Sequence, residues 1–179
     1  MRRALEETKA YETFPIRIVV LYNLVSLLIA GIGAYIFLSL SVWLTIPYLV
    51  YWLSMEIRVL RRSCVNCVYY GKVCGFGKGK FCSLLFKKGD AKRFAEDSIS
   101  WSDVLPDFLI FVFPLIGGIV SLVRDFSWPV LILLVVLVML SSVGNAVIRG
   151  LFACRYCRQR EIGCPASRLF AGKTEGAGS

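Results

Sequence analysis

The chain has 179 residues, which suits one domain at roughly 100–200 residues per domain. Hydrophobic residues make up 57% and charged residues 18%, against about 45–50% and about 25% in soluble domains, and mean hydropathy is +0.67. Composition therefore excludes an ordinary soluble protein, while 21 basic against 12 acidic residues leave a net charge of +9. There is no histidine, which excludes serine–histidine and cysteine–histidine catalysis, histidine-ligated zinc or haem, and an imidazole proton shuttle.

Four segments are predicted to span a bilayer, whose core needs about 20 apolar residues. The first runs from about Ile18 to Leu40 without an ionisable group. It exceeds the usual ~7–15 apolar residues of a cleaved signal peptide. The second, about Val42 to Leu60, is apolar to Met55 and then carries Glu56 and Arg58. Only Ser39 and Ser41 soften the join between these two, which predicts a tight hairpin. Between the second and third spans, Gly75-Phe76-Gly77-Lys78-Gly79-Lys80 looks like a phosphate cradle but lacks the G-x-x-x-x-G-K-[ST] pattern and a preceding strand. It reads as a turn that lets backbone amides approach sulfur. From Asp90 to Ser100, Ala91, Phe94, Ala95 and Ile99 recur at helical spacing, predicting a short amphipathic helix on the inner leaflet. The third span, about Val104 to Val123, has Asp107 in its expected first turn, as a helix cap, and Pro114 before Gly117 and Gly118 as a place to kink. The fourth, about Trp128 to Ile148, has no ionisable side chain, and Arg124 to Ser127 form the second hairpin turn. No charged pair lies deep in any one span, which argues against an ion-coupled pump. Small residues in the first span (Ala30, Gly31, Gly33, Ala34) and the fourth (Ser141, Ser142, Gly144, Ala146), with Asn23 and Asn145, are expected to form the bundle core.

Charge sets the orientation. The N-terminal segment, the inner end of the second span with the loop after it, and the tail after the fourth together hold every basic residue but Arg124. Basic loops stay in the cytoplasm, so a multi-pass cytoplasmic-membrane protein with both termini and the central loop inside is expected. Trp43, Phe126 and Trp128 would form an outer aromatic belt and Trp101 an inner one.

Seven cysteines fall on that inner side: Cys64, Cys67, Cys74 and Cys82, then Cys154, Cys157 and Cys164. Six obey one rule, Cys-x2-Cys-x6-Cys, twice, 90 residues apart. The same offset lays the second span over the fourth. The chain thus reads as two copies of hairpin plus cysteine knuckle, with an approximate two-fold axis along the membrane normal. Its expected divisions are 1–82 for the first hairpin and knuckle, 83–101 for an interfacial linker, 102–170 for the second copy and 171–179 for a tail.

A reducing cytoplasm disfavours structural disulfides, and buried cysteines acting as small hydrophobes do not account for a duplicated spacing. The spacing is that of metal ligands. Cys64-x2-Cys67-x6-Cys74 and Cys154-x2-Cys157-x6-Cys164 resemble the half-motifs of the fungal binuclear zinc cluster, and Cys154-Arg-Tyr-Cys157-Arg-Gln-Arg is similar also in its basic filling. The resemblance implies six thiolates around two zinc ions with two bridging sulfurs; it covers two eleven-residue stretches and carries no implication of nucleic-acid binding. Two other ligand sets stay open: Cys64, Cys67, Cys74 and Cys82 with a separate three-cysteine site, or the two Cys-x2-Cys pairs joined as one four-thiolate site. Arg61, Arg62, Lys72, Arg155, Arg158 and Arg160 are expected to keep the thiolates deprotonated.

The expected protein is an all-α membrane bundle with a cytoplasmic metal site, zinc favoured over an iron–sulfur cluster because the closely spaced cysteine run of ferredoxins is absent. Its expected role is accessory or structural rather than enzymatic. The alternatives are iron–sulfur electron transfer, soft-metal handling or transport, and thiol–disulfide chemistry. A lipid-modifying enzyme is disfavoured, because Glu56, Asp103 and Asp107 form no recognisable catalytic spacing. Expected partners are the bilayer with its anionic headgroups, and a protein partner or second copy.

Overall fold

The computed structural model describes residues 10–90 and 101–164. Among them the secondary structure is helical, with one isolated parallel bridge, Tyr11 to Cys157, and no strand. Helix α1, Ile16–Leu40, starts at Pro15, and α2, Val42–Arg62, follows after Ser41 alone. The Ser41 N–H donates to Phe37 O at 2.8 Å. Its Oγ accepts from Trp43 N–H at 3.3 Å, so one residue closes α1 and caps α2. A 3₁₀ turn, Cys64–Asn66, leads to α3, Lys78–Leu85. Helix α4, Trp101–Arg124, turns into α5, Trp128–Cys154, and the short α6, Gln159–Ile162, comes last.

Among the described residues, three helices are long and apolar enough to cross a membrane: α1, the Leu105–Arg124 part of α4, and α5. Helix α2 is not one of them, since Glu56, Arg58, Arg61 and Arg62 occupy its C-terminal half. Helix α1 is the axis of the bundle and packs on α2, α4 and α5. Its Tyr22, Val25, Ile29, Ile32 and Ile36 alternate three and four apart along one stripe, meeting Leu137 and Ile148 of α5. The opposite face is apolar too, with Leu24, Leu27 and Leu38 exposed. A helix apolar all round belongs in hydrocarbon.

Several expectations change. Helix α4 is already formed at Trp101, so Asp107 lies beyond a first turn and is no N-terminal cap; a proline just before an acid imitates a helix start, but here Pro106 is inside the helix. Pro114 does not break α4, which runs on to Arg124. Gly118 is where α4 comes close, since a Cβ there would stand 2.2 Å from Leu134 Cδ1 of α5. Gly31, by contrast, faces open space. The amphipathic helix expected at Asp90–Ser100 lies outside the described residues beyond Asp90, as does the tail 171–179. An amphipathic helix occurs earlier, as α3, which exposes Phe81, Leu84 and Leu85 together.

Helix α5 departs most from regularity. After Trp128–Met139 its backbone widens to π-helix at Leu140–Gly144, returns to α at Asn145–Val147, and widens again at Ile148–Cys154.

Candidate metal centre

The first cysteine loop leaves α2 through a tight turn. Cys67 N–H donates to Cys64 O at 3.3 Å and Tyr70 N–H to Cys67 O at 3.0 Å. The chain then folds back on itself. Gly71 and Gly77 take positive φ, 76° and 74°, and Gly79 N–H donates to Cys74 Sγ at 3.4 Å. A Cβ on Gly79 would lie 2.2 Å from Tyr69 O and 2.6 Å from Lys72 O, two backbone atoms that cannot swing aside, so only glycine brings that amide to the sulfur. Cys82, on α3, is fully buried, its thiol 3.6 Å from Leu60 O.

The second loop repeats the turn. Cys157 N–H donates to Cys154 O at 3.3 Å and Arg160 N–H to Cys157 O at 3.1 Å, each 90 residues beyond its counterpart. The two loops then grip each other reciprocally. Val68 N–H donates to Gln159 Oε1 at 3.0 Å, and Arg158 N–H donates to Tyr69 Oη at 3.0 Å. Residues 68 and 158 are offset partners, as are 69 and 159, so each loop gives a backbone N–H to the other's next-register side chain. That is the self-complementary pattern of an isologous contact. Both side chains are 2% exposed.

A strap from the N-terminus binds both loops. Phe14 N–H donates to Val73 O at 3.0 Å in the first loop, and Tyr11 N–H to Tyr156 O at 3.1 Å in the second. Tyr69 Oη donates to Tyr11 O at 2.5 Å. The Phe14 ring meets Tyr69 edge-on, and Cys74, Cys67 and Cys157 pack into the same apolar cluster. Tyr69, Gln159, Tyr11 and Phe14 were invisible as site residues in the sequence: none has a chemistry-bearing spacing, and residues 69 and 159 differ in type.

The thiols are neighbours. Burial, then Cys74 and Cys82, push Cys64 up to about 12. Burial and the neighbouring Cys67, Cys154 and Cys164 push Cys157 up to about 12 as well. Cys67 is raised by burial, with Cys74 on one side and Cys164 on the other adding to it. Cys82 is raised too, by burial and Cys74. The basic residues expected to hold these sulfurs as thiolates do not overcome burial, and the cation opposing the shift at Cys64 is Lys78 rather than Arg61 or Arg62. Electrostatic contact therefore runs from Cys64 and Cys74 through Cys67 and Cys157 to Cys154 and Cys164. All seven cysteines are free. Among the described residues, no three cysteine or carboxylate side chains converge tightly enough to hold a metal ion. Cys67, Cys74 and Cys157 share one apolar cluster, and the Gly79 amide is directed at the Cys74 sulfur.

Ionisable groups also converge beside this layer. Lys78 at the start of α3 forms an ion pair with Glu56 of α2, and both face a cavity shared with Asp107 and Arg149. Each comes from a different helix, so no single segment shows the cluster.

No family model matches the chain, and neither a curated protein nor a solved structure matches it.

Proposed function

We propose that this chain is an integral membrane metalloprotein with four spans, in which cysteines from two repeated halves hold zinc beneath the bilayer, as an accessory or structural subunit. The observation that carries the reading is the reciprocal pair of hydrogen bonds, Val68 to Gln159 and Arg158 to Tyr69. It brings Cys67 and Cys157 into mutual electrostatic reach at the centre of the thiol group. With Cys64 and Cys74 on one flank and Cys154 and Cys164 on the other, the order favours the six-cysteine set, leaving Cys82 to hold α3 against α2. Closing on an ion asks the thiols to rotate and give up their protons, which metal binding ordinarily drives. Basic residues concentrated in the flanking loops support an inward placement of both termini.

The test is elemental analysis of full-length protein purified anaerobically. Stoichiometric zinc without visible absorbance is expected. Cys67→Ser and Cys157→Ser should each lose the metal, whereas Cys82→Ala should lower the melting temperature and keep the metal-to-protein ratio. Iron with an absorbance that bleaches on reduction would replace zinc by a cluster. Folded protein free of any thiophilic metal would overturn the reading.

A further inference from the structure

A cavity of about 260 Å³ lies among α1, α2, α4 and α5, at the end of the bundle nearest the cysteine loops. Ile29, Trp52, Phe108 and Phe111 give it apolar walls. Its charges do not all neutralise one another. Glu56 and Lys78 pair directly. Arg149 is held apart: its Nη2 donates to Tyr22 Oη at 3.4 Å, and its guanidinium lies 5.9 Å from the Tyr22 ring centroid and 5.7 Å from that of Phe76. Asp107, across the cavity on α4, is within electrostatic reach of Arg149, Arg58 and Lys78. Among the described residues, no ion pair closes between Arg149 and Asp107.

Two further observations mark the place. Ser141 lines the cavity, and its Oγ is buried with no hydrogen-bond partner among the described residues. It belongs to the π-helical stretch Leu140–Gly144, and π turns inside helices recur at functional sites. Ionisable groups at membrane depth are costly and are kept where they pair or serve a ligand.

We propose that this cavity holds the headgroup of a zwitterionic phospholipid, its phosphate on Arg149 and its ammonium on Asp107. A ligand carrying both charges satisfies a cation and an anion that face one space without meeting, which a simple anion does not. The guanidinium fork suits phosphate oxygens. The room available is that of a headgroup, below the ~300–1,000 Å³ of typical drug-sized sites. The acyl chains then have a path outside, along Leu105 and Phe108, which are 59% and 56% exposed. The same chemistry exists in soluble form as phosphoethanolamine, so the experiment must separate the two sources.

The full chain, purified and delipidated in detergent, is melted with phosphatidylethanolamine, phosphatidylglycerol, diacylglycerol or free phosphoethanolamine. Phosphatidylethanolamine is expected to raise the melting temperature by several degrees, well above the other three. Arg149→Gln should abolish the rise, and Asp107→Asn should make phosphatidylethanolamine and phosphatidylglycerol equivalent. Should Arg149→Gln not accumulate, Asp107→Asn carries the test alone. Equal effects of the two phospholipids on the native chain, no advantage over diacylglycerol, or an equal shift with free phosphoethanolamine would each overturn the proposal. Metal content measured on the same samples keeps this outcome separate from that of the cysteine site.

Discussion

Tyr69 joins two parts of the chain through one hydroxyl, accepting from Arg158 N–H and donating to Tyr11 O. Removing it leaves an interior amide without its partner, which costs about 1–3 kcal/mol. Tyr69→Phe and Gln159→Ala should each destabilise by that order. Because they hold the same interface, the double variant should lose less than the sum, with a coupling of about 0.5–3 kcal/mol. Thermal melts of the three variants give the cycle, and simple additivity would mean the two loops are anchored independently. Cysteine spacing made the two repeated turns legible, since chance rarely places Cys-x2-Cys-x6-Cys twice in one chain. The residues that dock them were not legible. A tyrosine and a glutamine can serve as equivalent acceptors, and no pattern of residue types reveals that equivalence.

Helices were the plainest part of the sequence, because an uninterrupted apolar run fixes a segment with little help from its surroundings. The ends were harder. Pro106 concealed a helix already under way from Trp101, and the eight residues of α3 were too few to show a period. Contacts between helices depend on single side chains. Tyr48 of α2 is 4% exposed and presses on Gly33 of α1, where a Cβ would stand 2.6 Å from its Cζ. Its hydroxyl is buried without a hydrogen-bond partner. Tyr48→Phe removes that unsatisfied group while keeping the ring, so it should be neutral or stabilising by about 1 kcal/mol. Gly33→Ala should lower the melting temperature. A marked loss in Tyr48→Phe would show that the hydroxyl has a partner in the bilayer.

At the scale of the molecule, apolar helices lie above and a basic, thiol-rich layer lies below, with the charged cavity where they meet. The proposed topology places both cysteine loops on one side. Once any bound metal has been stripped with a chelator, a membrane-impermeant maleimide should therefore label the chain in inverted vesicles and leave it unlabelled in right-side-out ones, with exposed Cys154 among the first to react. Labelling of the two loops from opposite sides would break the repeat and its shared site together. The cavity escaped the sequence for a reason of scale as well: Glu56, Lys78, Asp107 and Arg149 are far apart in the chain, and each taken singly reads as an ordinary charge near a helix end.

The strap from Tyr11 to Phe14 has a consequence for biosynthesis. Tyr11 emerges from the ribosome among the first described residues, yet it binds Tyr156, which emerges among the last. Its other attachments, to Val73 and Tyr69, become possible much sooner. The nascent chain can tether this strap to the first loop early, and only the contact with Tyr156 waits until the second loop has been made. Assembly of the cysteine layer is thereby a late event, following the helices that separate the two loops.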